Sequence, residues 1–462
     1  MQEEIARARS ALERTFKERS DEIICSLLAT CAGEHVLFLG PPGTAKSQLA
    51  RSVCEAVDGN FFYYLMTRFT TPEEVFGPLS LKALQEDDFR RKIDGYLPAA
   101  HVAFLDEIFK SSSSILNSFL TILNERKFHN GREAIDVPLI AAFGASNELP
   151  DAEDNLEALY DRFLLRCVVS PIQDEDNFRE MLFEDGVQGK GGVRLTVDQI
   201  REVQSNAQAV GIDDNVQRII LRARKELAQK GIVVSDRRWK KIVNVLRVAA
   251  AAAGRSRVDR SMAILLKHMA WDRPEQREYV RSLLVDLIIS GGESLEKLAR
   301  DAGDLHRLLL RETDRPFPYQ VRCYDCNEVL GSSRILATHE KEHPGHRFFD
   351  PHRTSLSLRY MGYDHLLSVL KDEYRWDFVY NPAGKKREYQ MEYRSLKERY
   401  ETIAGTMARE MGQLTRQLAD NVWVSDRDSS DILRQYEAQI RRTGRIGEVI
   451  RSIEIMLDRV SD

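Results

Sequence analysis

The first part of the chain alternates short apolar runs with stretches of helical periodicity. Five such runs fall within residues 1–185, and they are HVLFLG (35–40), FFYYLM (61–66), HVAFLDEI (101–108), LIAAFGASN (139–147) and LLRCVV (164–169). Apolar runs of this length, separated by helical segments, are typical of parallel strands that are covered by helices on both faces. The pattern therefore predicts a three-layer α/β domain with a mostly parallel sheet over residues 1–185.

The rest of the chain is mainly helical in pattern, with one interruption. A glycine-rich break at 184–192 is followed by helical periodicity, which predicts a helical lid over 186–275. Apolar positions at spacings of three and four continue over 276–312 and return over 391–462, which predicts an extended arm that contains a packed pair of antiparallel helices. Prolines, aromatic residues and strand-like runs over 313–390 predict a small inserted α+β module.

Composition and charge narrow the class of protein. A chain of 462 residues is too long for one core, so about two to four domains are expected. Hydrophobic residues at 43% and a net charge of -5 fit a globular protein and argue against a surface that coats nucleic acid, although a local basic patch stays open. No apolar run approaches the ~20 residues of a membrane span, and the charged N-terminal segment lacks a secretory signal. A cytoplasmic location is therefore expected.

A phosphate-binding pattern lies between the first predicted strand and the helix after it. The segment GPPGTAKS (40–47) fits G-x-x-x-x-G-K-[ST], in which two glycines let backbone N–H groups turn toward phosphate oxygens at a helix N-terminus. Lys46 is suited to reach the β- and γ-phosphates, and the Ser47 hydroxyl is suited to bind Mg²⁺. We therefore expect ATP with Mg²⁺ at the loop formed by Gly40, Pro41, Pro42, Gly43, Thr44, Ala45, Lys46 and Ser47.

Acidic and amide side chains follow two later strands. Asp106 and Glu107 come at the end of the run HVAFLDEI, and Asn147 ends the run LIAAFGASN. Asp106 is suited to hold the Mg²⁺ ion, and Glu107 is suited to orient and deprotonate an attacking water. Asn147 is suited to position the same water against the γ-phosphate, an interpretation that depends on its place after the acidic pair.

These motifs, in this order, resemble those of the MoxR family of AAA+ ATPases, and most closely its RavA branch. The resemblance rests on Lys46, Asp106–Glu107, Asn147, ALYDRF (158–163) and VSDRRW (234–239). It is strong over residues 1–310 and weak over the last part of the chain. It implies that Arg162 is an arginine finger, which a neighbouring subunit inserts into the ATP site. It also implies a sensor-two arginine in the lid, which is Arg237, with the adjacent Arg238 as the alternative.

The resemblance further implies an oligomeric state and a biochemical function. Members of this family are expected to form closed rings, usually hexamers, in which ATP is hydrolysed between subunits. Such ATPases remodel or assemble other proteins in a chaperone-like manner, often together with a von Willebrand factor A-type (vWA) protein. The segment 67–84 matches the family's helix-two insert, and 124–137 matches the hairpin before sensor one, with HNGR as a tight turn.

Two of the six cysteines differ from the others. Cys25, Cys31, Cys54 and Cys167 lie in apolar or helical surroundings and are interpreted as reduced, buried residues. The metal-ligand spacing C-x2-C-x12-H-x3-H is formed by Cys323, Cys326, His339 and His343. This spacing predicts a structural Zn²⁺ ion with four protein ligands. His346 is an alternative to His343, because a helix-breaking proline lies between them.

The zinc-finger-like spacing raises the question of a nucleic-acid partner. In a finger that reads DNA, the positions facing the groove would be Ser332, Ile335 and Thr338, with Arg334 between them as the one strongly basic residue. Glu340 and Glu342 follow, so a structural or protein-binding module is favoured, and it departs from the all-β insert of the RavA branch. A nucleic-acid-dependent motor or defence ATPase, and a scaffold that uses ATP as a switch with little turnover, stay as alternatives.

Overall fold

The computed structural model of the protein describes residues 1–110, 113–150, 156–183, 194–289, 294–313, 316–349 and 386–458, together with positions 362, 364 and 366. These residues form two compact units. The first unit consists of Met1–Ser290 and Gln413–Arg434, and the second consists of Gly291–Gly412 and Gln435–Asp462. The predicted glycine-rich break at 184–192 and the strand-like run at 376–380 lie outside the described residues.

The first unit contains the elements of the predicted α/β domain and lid. Its strands are β1 (Val36–Leu39), β2 (Val57–Asp58), β3 (Phe61–Leu65), β4 (Val102–Asp106), β5 (Lys127–Asn130), β6 (Glu133–Asp136), β7 (Ala141–Ser146), β8 (Leu165–Val168), β9 (Leu195–Thr196), β10 (Gly211–Ile212) and β11 (Arg257–Val258). Its helices are α1 (Gln2–Thr15), α2 (Ser20–Ala32), α3 (Lys46–Glu55), α4 (Pro72–Phe76), α5 (Leu81–Leu84), α6 (Ser113–Glu125), α7 (Glu157–Tyr160), α8 (Glu175–Phe183), α9 (Val197–Asn206), α10 (Asp214–Gln229), α11 (Asp236–Ala252) and α12 (Arg277–Ile289).

A five-stranded parallel sheet forms the centre of this unit, with the strand order β3-β4-β7-β1-β8. Strands β1 and β7 are buried along their whole length, as expected for parallel strands that carry apolar side chains on both faces. The observed sheet confirms the predicted α/β fold. Strands β5 and β6 form a separate antiparallel hairpin, whose turn contains Gly131 with a φ of 67°, a backbone conformation that favours glycine.

The segment after the sheet is helical, as predicted for a lid. Helices α9 to α12 pack together with a 3-10 helix at Arg260–His268. Helix α11 starts at the N-cap Ser235, whose side chain accepts a hydrogen bond from Arg238 N at 3.2 Å. The indole Nε1 of Trp423, in the 413–434 segment, donates to Ala249 O of α11 at 2.8 Å. This segment is therefore fastened to the first unit, although it is remote in sequence.

Three elements of the second unit pack as long helices, and the remainder form a small module. Its helices are α13 (Ser294–Thr313), α14 (Ser333–Glu342), α15 (Lys386–Ala419) and α16 (Asp426–Asp458), of which the 413–434 portions belong to the first unit. Its strands are β12 (Pro316–Cys323), β13 (Val329–Ser332) and β14 (Phe348–Phe349). Leu298 and Leu305 of α13 share one apolar cluster with Leu396 of α15 and with Ile450 and Ile453 of α16. The predicted long helices of the C-terminal region are confirmed.

The small module is built on an antiparallel sheet in the order β13-β12-β14, with α14 following β13. Val321, Leu330, Leu336 and Phe348 are fully buried in it. Among the residues that the structure describes, none of the helices combines the length and the apolar character that crossing a lipid bilayer requires.

A buried ion cluster links three parts of the first unit. Lys267 is 2% exposed, and its Nζ donates to Asp21 Oδ1 at 2.7 Å and to Asp428 Oδ2 at 2.5 Å. Burial by itself would raise the pKa of Asp428, but the charge of Lys267, together with hydrogen bonds from Lys267 and Ser425, holds that pKa below its usual value. A carboxylate with a depressed pKa stabilises the folded state above its unfolded pKa, and this contribution is lost as the pH falls.

We predict that Lys267→Met lowers the free energy of unfolding by about 3 kcal/mol at neutral pH, because Asp21 and the buried Asp428 lose their shared cation and keep Arg277 and Arg281 as their cationic partners. The deficit should shrink as the pH falls, since protonation neutralises the two carboxylates. Guanidinium unfolding followed by tryptophan fluorescence measures both effects, because Trp239, Trp271 and Trp423 are buried in this unit. Arg7→Met, at the exposed Arg7–Glu3 pair, is the control and should leave the midpoint unchanged. Equal midpoints for Lys267→Met and the parent would contradict the interpretation.

Candidate functional site

The loop between β1 and α3 has the backbone that its glycines predict. A Cβ on Gly40 would lie 2.1 Å from Val169 O, so only glycine fits beside β8 at this point. Gly43 has a φ of 80° with open space around its Cα, and Ala45 has a φ of 63° directly before α3. The loop is therefore held open at the N-terminus of α3, where N–H groups and the helix dipole favour an anion.

Lys46 lies at the centre of this loop and is 7% exposed. Its Nζ donates to Gly40 O at 2.6 Å, to Pro41 O at 2.8 Å and to Asn147 Oδ1 at 3.3 Å. Burial lowers the pKa of the Lys46 ammonium, and the carboxylates of Asp106 and Glu107 oppose that shift. The partners of the ammonium are neutral oxygens, so a phosphate oxygen would be a stronger partner than any of them.

The acidic residues meet the loop because β4 and β7 lie beside each other in the sheet, with β1 next to β7. Ser47 Oγ donates to Asp106 Oδ2 at 2.8 Å. A hydroxyl and a carboxylate oxygen at this distance are the hard ligands that Mg²⁺ prefers. The residues present therefore fit an ATP-bound Mg²⁺ ion, with Ser47 and Asp106 holding it.

Glu107 and Asn147 are in direct contact across neighbouring strands. Asn147 Nδ2 donates to Glu107 Oε1 at 2.6 Å, and Lys110 Nζ lies 3.3 Å from Glu107 Oε2. Glu107 also has a φ of 52°, a left-handed conformation that is uncommon for a residue with a side chain and that occurs at functional sites. The carboxylate is thus held between an amide and an ammonium at the edge of the sheet.

Arg162 and Arg237 lie together at a small cavity, which is lined by Asp161, Arg162, Leu164, Arg237, Arg238 and Lys241. Burial lowers the pKa of Arg162, and the nearby Arg237 lowers it further. Arg237 is exposed, with Nη2 at 3.4 Å from Asn124 Oδ1. Four cations and one carboxylate line this cavity. Lys241 is paired with Glu34 at 2.7 Å, and Asp161 lies 3.9 Å from Arg162 and 3.6 Å from Arg238, so the remaining charge at the cavity is positive.

Arg238 differs from its neighbour in burial and in partners. It is 4% exposed, and it donates through Nε to Met269 O at 2.7 Å and through Nη2 to Leu164 O at 2.9 Å. Burial lowers the pKa of Arg238 to about 10, with Arg166 adding to that shift. The Arg238 guanidinium is buried and hydrogen-bonded to backbone carbonyl groups of the first unit. Arg237, which is exposed, is therefore the better placed of the two candidate sensor-two arginines to reach a ligand.

The predicted zinc ligands form a second site, in the small module. Cys323 Sγ lies 3.4 Å from His346 Nδ1, Cys326 Sγ lies 3.7 Å from His339 Nε2, and the two imidazole nitrogens are 3.3 Å apart. His343, the fourth ligand expected from the C-x2-C-x12-H-x3-H spacing, is exposed and does not belong to this group. The structure thus brings the alternative, His346, to the cysteines.

Sequence reasoning missed three features of these sites. The first is the ion pair of Lys110 with Glu107, which the sequence could have indicated because the two residues are three positions apart. The second is Glu328, whose carboxylate lies 3.0 Å from His339 Nδ1 and which no sequence pattern marks. Cys25 and Cys167 were expected as separate buried residues, and both are buried with free thiols. The structure brings them together with His268, within 4.8 Å of one another. They belong to α2, β8 and the 3-10 helix Arg260–His268, so no local pattern marks the cluster.

Comparisons with known proteins show which family models and relatives the chain matches. The family described as "MoxR domain in the MoxR-vWA-beta-propeller ternary systems" matches residues 3–205, and an AAA lid domain matches residues 215–284. The uncharacterized protein MJ0812 of Methanocaldococcus jannaschii is 43% identical over 274 residues, which cover 59% of this chain and 72% of that protein. The uncharacterized protein MJ0079 of the same organism is 42% identical over 284 residues, which cover 61% of this chain and 74% of that protein.

A solved structure, described as that of a candidate ATPase from Cytophaga hutchinsonii, has a TM-score of 0.49 and 16% identity to this chain. The matched region covers 61% of this chain and 94% of the chain in that structure. At that level the likeness does not bear on fold or function.

We predict that Lys46→Ala weakens ATP binding by about 10- to 100-fold, because one buried, charge-assisted contact to phosphate is lost. Titration with a fluorescent ATP analogue in the presence of Mg²⁺ measures the change. Lys82→Ala, at an exposed position of α5, is the matched control and should bind as the parent does. Equal affinities for Lys46→Ala and Lys82→Ala would exclude the loop 40–47 as the phosphate site.

Proposed function

Because this chain belongs to the MoxR family of AAA+ ATPases, we propose that it is a Mg²⁺-dependent ATPase that works as a ring and remodels or assembles partner proteins. The observation that carries the proposal is the convergence of Lys46, Ser47, Asp106, Glu107 and Asn147 at one edge of the parallel sheet. This set contains a phosphate-binding cation, two magnesium ligands, a base and an amide. The affiliation to the RavA branch stays a prediction.

In this proposal each residue has one task. Lys46 binds the β- and γ-phosphates, and Ser47 and Asp106 hold Mg²⁺, which neutralises phosphate charge when it is bound. Glu107 accepts the proton of the attacking water, and Asn147 orients that water. The hydrogen bond from Asn147 Nδ2 to Glu107 Oε1 at 2.6 Å supports these two roles, since side chains this close together can reach the same water.

The two arginines provide the argument for hydrolysis between subunits. Arg162 and Arg237 line the same small cavity, so the two cations lie near each other. The positive charge of Arg237 lowers the pKa of Arg162, so the two groups repel each other, and a transition state with charge on the γ-phosphate oxygens would relieve that repulsion. We propose that both are supplied to the nucleotide of the neighbouring subunit, with Arg162 as the arginine finger and Arg237 as sensor two. Hydrolysis would then depend on assembly, and a hexamer is the expected ring.

A protein that contains a vWA domain is the proposed partner. The matched family is described by its occurrence in MoxR-vWA-β-propeller ternary systems, which supports a partner of that type. The nucleic-acid alternative is weaker, because Glu328, Glu340 and Glu342 lie on the same small module as the zinc-finger-like ligands. We also propose Zn²⁺ as the second metal of the chain, bound at that module.

The arrangement predicts that two inactive variants restore each other. Arg162→Ala should bind ATP as the parent does and lose about 10³-fold in turnover, because the transition state lacks a cation. Mixed with Lys46→Ala subunits, it should regain activity, since an intact loop then faces an intact arginine across the interface. Phosphate release at equal total protein measures the recovery.

The same mixture made with Arg237→Ala tests the second arginine. Recovery is expected if Arg237 serves the neighbouring subunit, whereas an arginine that serves its own subunit gives no recovery. Lys46→Ala mixed with Glu107→Gln is the control. It should stay inactive, because both residues belong to one nucleotide site. No recovery with Arg162→Ala, in rings of normal size, would overturn the proposed finger.

The partner is accessible through a variant that binds ATP without hydrolysing it. Glu107→Gln removes the base and should lower turnover by about 10²- to 10⁴-fold while keeping affinity. Captured from its native cells with ATP and Mg²⁺, it should retain a vWA protein that Lys46→Ala fails to retain. Mass spectrometry identifies the bound protein. Nuclease-sensitive material in place of a protein would favour the nucleic-acid motor instead.

A further inference from the structure

The small module of the second unit contains two cysteines and two histidines whose ligand atoms face one point. We propose that Cys323, Cys326, His339 and His346 form a closed tetrahedral Zn²⁺ site, with Glu328 as the hydrogen-bond partner that orients His339. This inference rests on the proposed zinc content of the chain and is independent of ATP hydrolysis.

The backbone prepares both cysteines for one ion. Asn327 N donates to Cys323 O at 3.0 Å, and Cys323 N donates to Glu328 O at 2.9 Å. Asn327 has a φ of 62°, so the chain turns sharply after the second cysteine. A tight turn between β12 and β13 of this kind brings the two thiols of a C-x2-C sequence to the same side of the chain.

The distances between ligand atoms match a tetrahedron. Zinc–sulfur and zinc–nitrogen bonds of about 2.3 and 2.0–2.1 Å give sulfur–nitrogen edges of about 3.6 Å and nitrogen–nitrogen edges of about 3.3 Å. The observed sulfur–nitrogen distances are 3.4 Å for Cys323–His346 and 3.7 Å for Cys326–His339. The nitrogen–nitrogen distance is 3.3 Å. These three of the six edges fit a tetrahedron, and all four ligand atoms lie within 4.8 Å of one another.

The turn after α14 decides which histidine is the fourth ligand. Helix α14 ends at Glu342, and Pro344 and Gly345 reverse the chain, with Gly345 at a φ of 86°. The next residues return to β12, where Tyr324 N donates to Arg347 O at 2.7 Å. This hydrogen bond places His346 beside Cys323. The exposed His343 ring stacks on the His346 ring at 4.9 Å between ring centroids and does not belong to the group of converging ligand atoms.

Glu328 lies behind one of the proposed ligands and is a hydrogen-bond partner of its imidazole ring. Its Oε2 lies 3.0 Å from His339 Nδ1, and His339 is 4% exposed. With Nε2 bound to the ion, Nδ1 carries the proton and donates to this carboxylate. Such a partner fixes the ring orientation and makes the imidazole a better ligand. Glu328 itself is not a ligand, because its carboxylate contacts the far side of the ring.

The ion has a structural role in this module. The apolar core that the described part of the module offers is Val321, Leu330, Leu336 and Phe348, which is small for an independently stable fold. Phe348 packs edge-on against His339 at 6.0 Å between ring centroids, so this core and the ligands share a boundary. Four protein ligands leave no open position for substrate, so the ion clamps α14 to β12 and β14 and takes no part in catalysis.

The first test counts metal in the purified full chain and its variants. Elemental analysis should find about one Zn²⁺ per chain in the parent and in His343→Ala. Cys323→Ser and His346→Ala should lose it or bind it at least about 10-fold more weakly. Cys25→Ser is the matched thiol control, since Cys25 belongs to the other cysteine–histidine cluster, and it should keep the full zinc content. Two results would overturn the assignment. One is that His346→Ala keeps its zinc, and the other is that Cys25→Ser or His343→Ala loses it.

The second test reads the coordination and keeps the proposal falsifiable if a ligand variant unfolds. Co²⁺ exchanged into the parent should give the strong visible absorption of a tetrahedral site with thiolate bands, and Glu328→Gln should keep that spectrum with about 10- to 100-fold weaker affinity. An octahedral spectrum, or unchanged affinity in Glu328→Gln, would refute the geometry. ATP binding measured on the same samples separates the two proposals. A zinc-free chain that hydrolyses ATP refutes only the metal site, and a zinc-loaded chain without ATPase activity refutes only the proposed function.

Discussion

The parallel pairing of β1, β4 and β7 is the constraint on which the candidate ATP site depends. Parallel strands bring all their carboxyl ends to one edge of a sheet, so groups that are far apart in sequence meet there. Lys46 follows β1, Asp106 and Glu107 end β4, and Asn147 follows β7. If any of these strands were displaced by one position in the sheet order, the contacts between Ser47 and Asp106 and between Asn147 and Glu107 would be lost.

The charges at this edge satisfy one another within the chain. Lys46 donates to loop carbonyls, Ser47 donates to Asp106, and Glu107 is held by Asn147 and Lys110. A bound phosphate and its metal ion would replace several of these partners at once, so occupancy of the loop is linked physically to the ends of β4 and β7. The cavity of Arg162 and Arg237 is different, because cations are in excess there. An excess of positive charge at a partly exposed surface attracts anions, and the proposed roles of Arg162 and Arg237 use this property.

The two units hold their structures in different ways. The first unit has a continuous apolar interior and a buried ion cluster, in which Lys267 is paired with two carboxylates. In its described residues, the small module of the second unit has a limited apolar core, and its cysteines and histidines surround a point that suits a cation. A module of that size gains more from four bonds to a metal ion than from its limited apolar burial.

The sequence by itself determined the class of the fold and predicted the residues of the candidate ATP site. Apolar runs separated by helical periodicity predicted the parallel sheet, and the loop 40–47, the acidic pair after β4 and the amide after β7 were recognised because such motifs are local. The long C-terminal helices followed from an equally local spacing. Sequence could not reveal the contact of Glu328 with His339, or of Cys25 with Cys167 and His268, because these depend on how separate segments pack.

Tertiary structure also decided between neighbours that the sequence left equal. Successive residues of a helix point about 100° apart, so Arg238 enters the core and bonds to backbone carbonyls while Arg237 stays exposed. The spacing of the histidines favoured His343, yet the chain reversal at Pro344 and Gly345 and its pairing with β12 bring His346 to Cys323. Local patterns fix which kinds of residue are present, whereas the direction of each side chain is set by the surfaces that its element packs against.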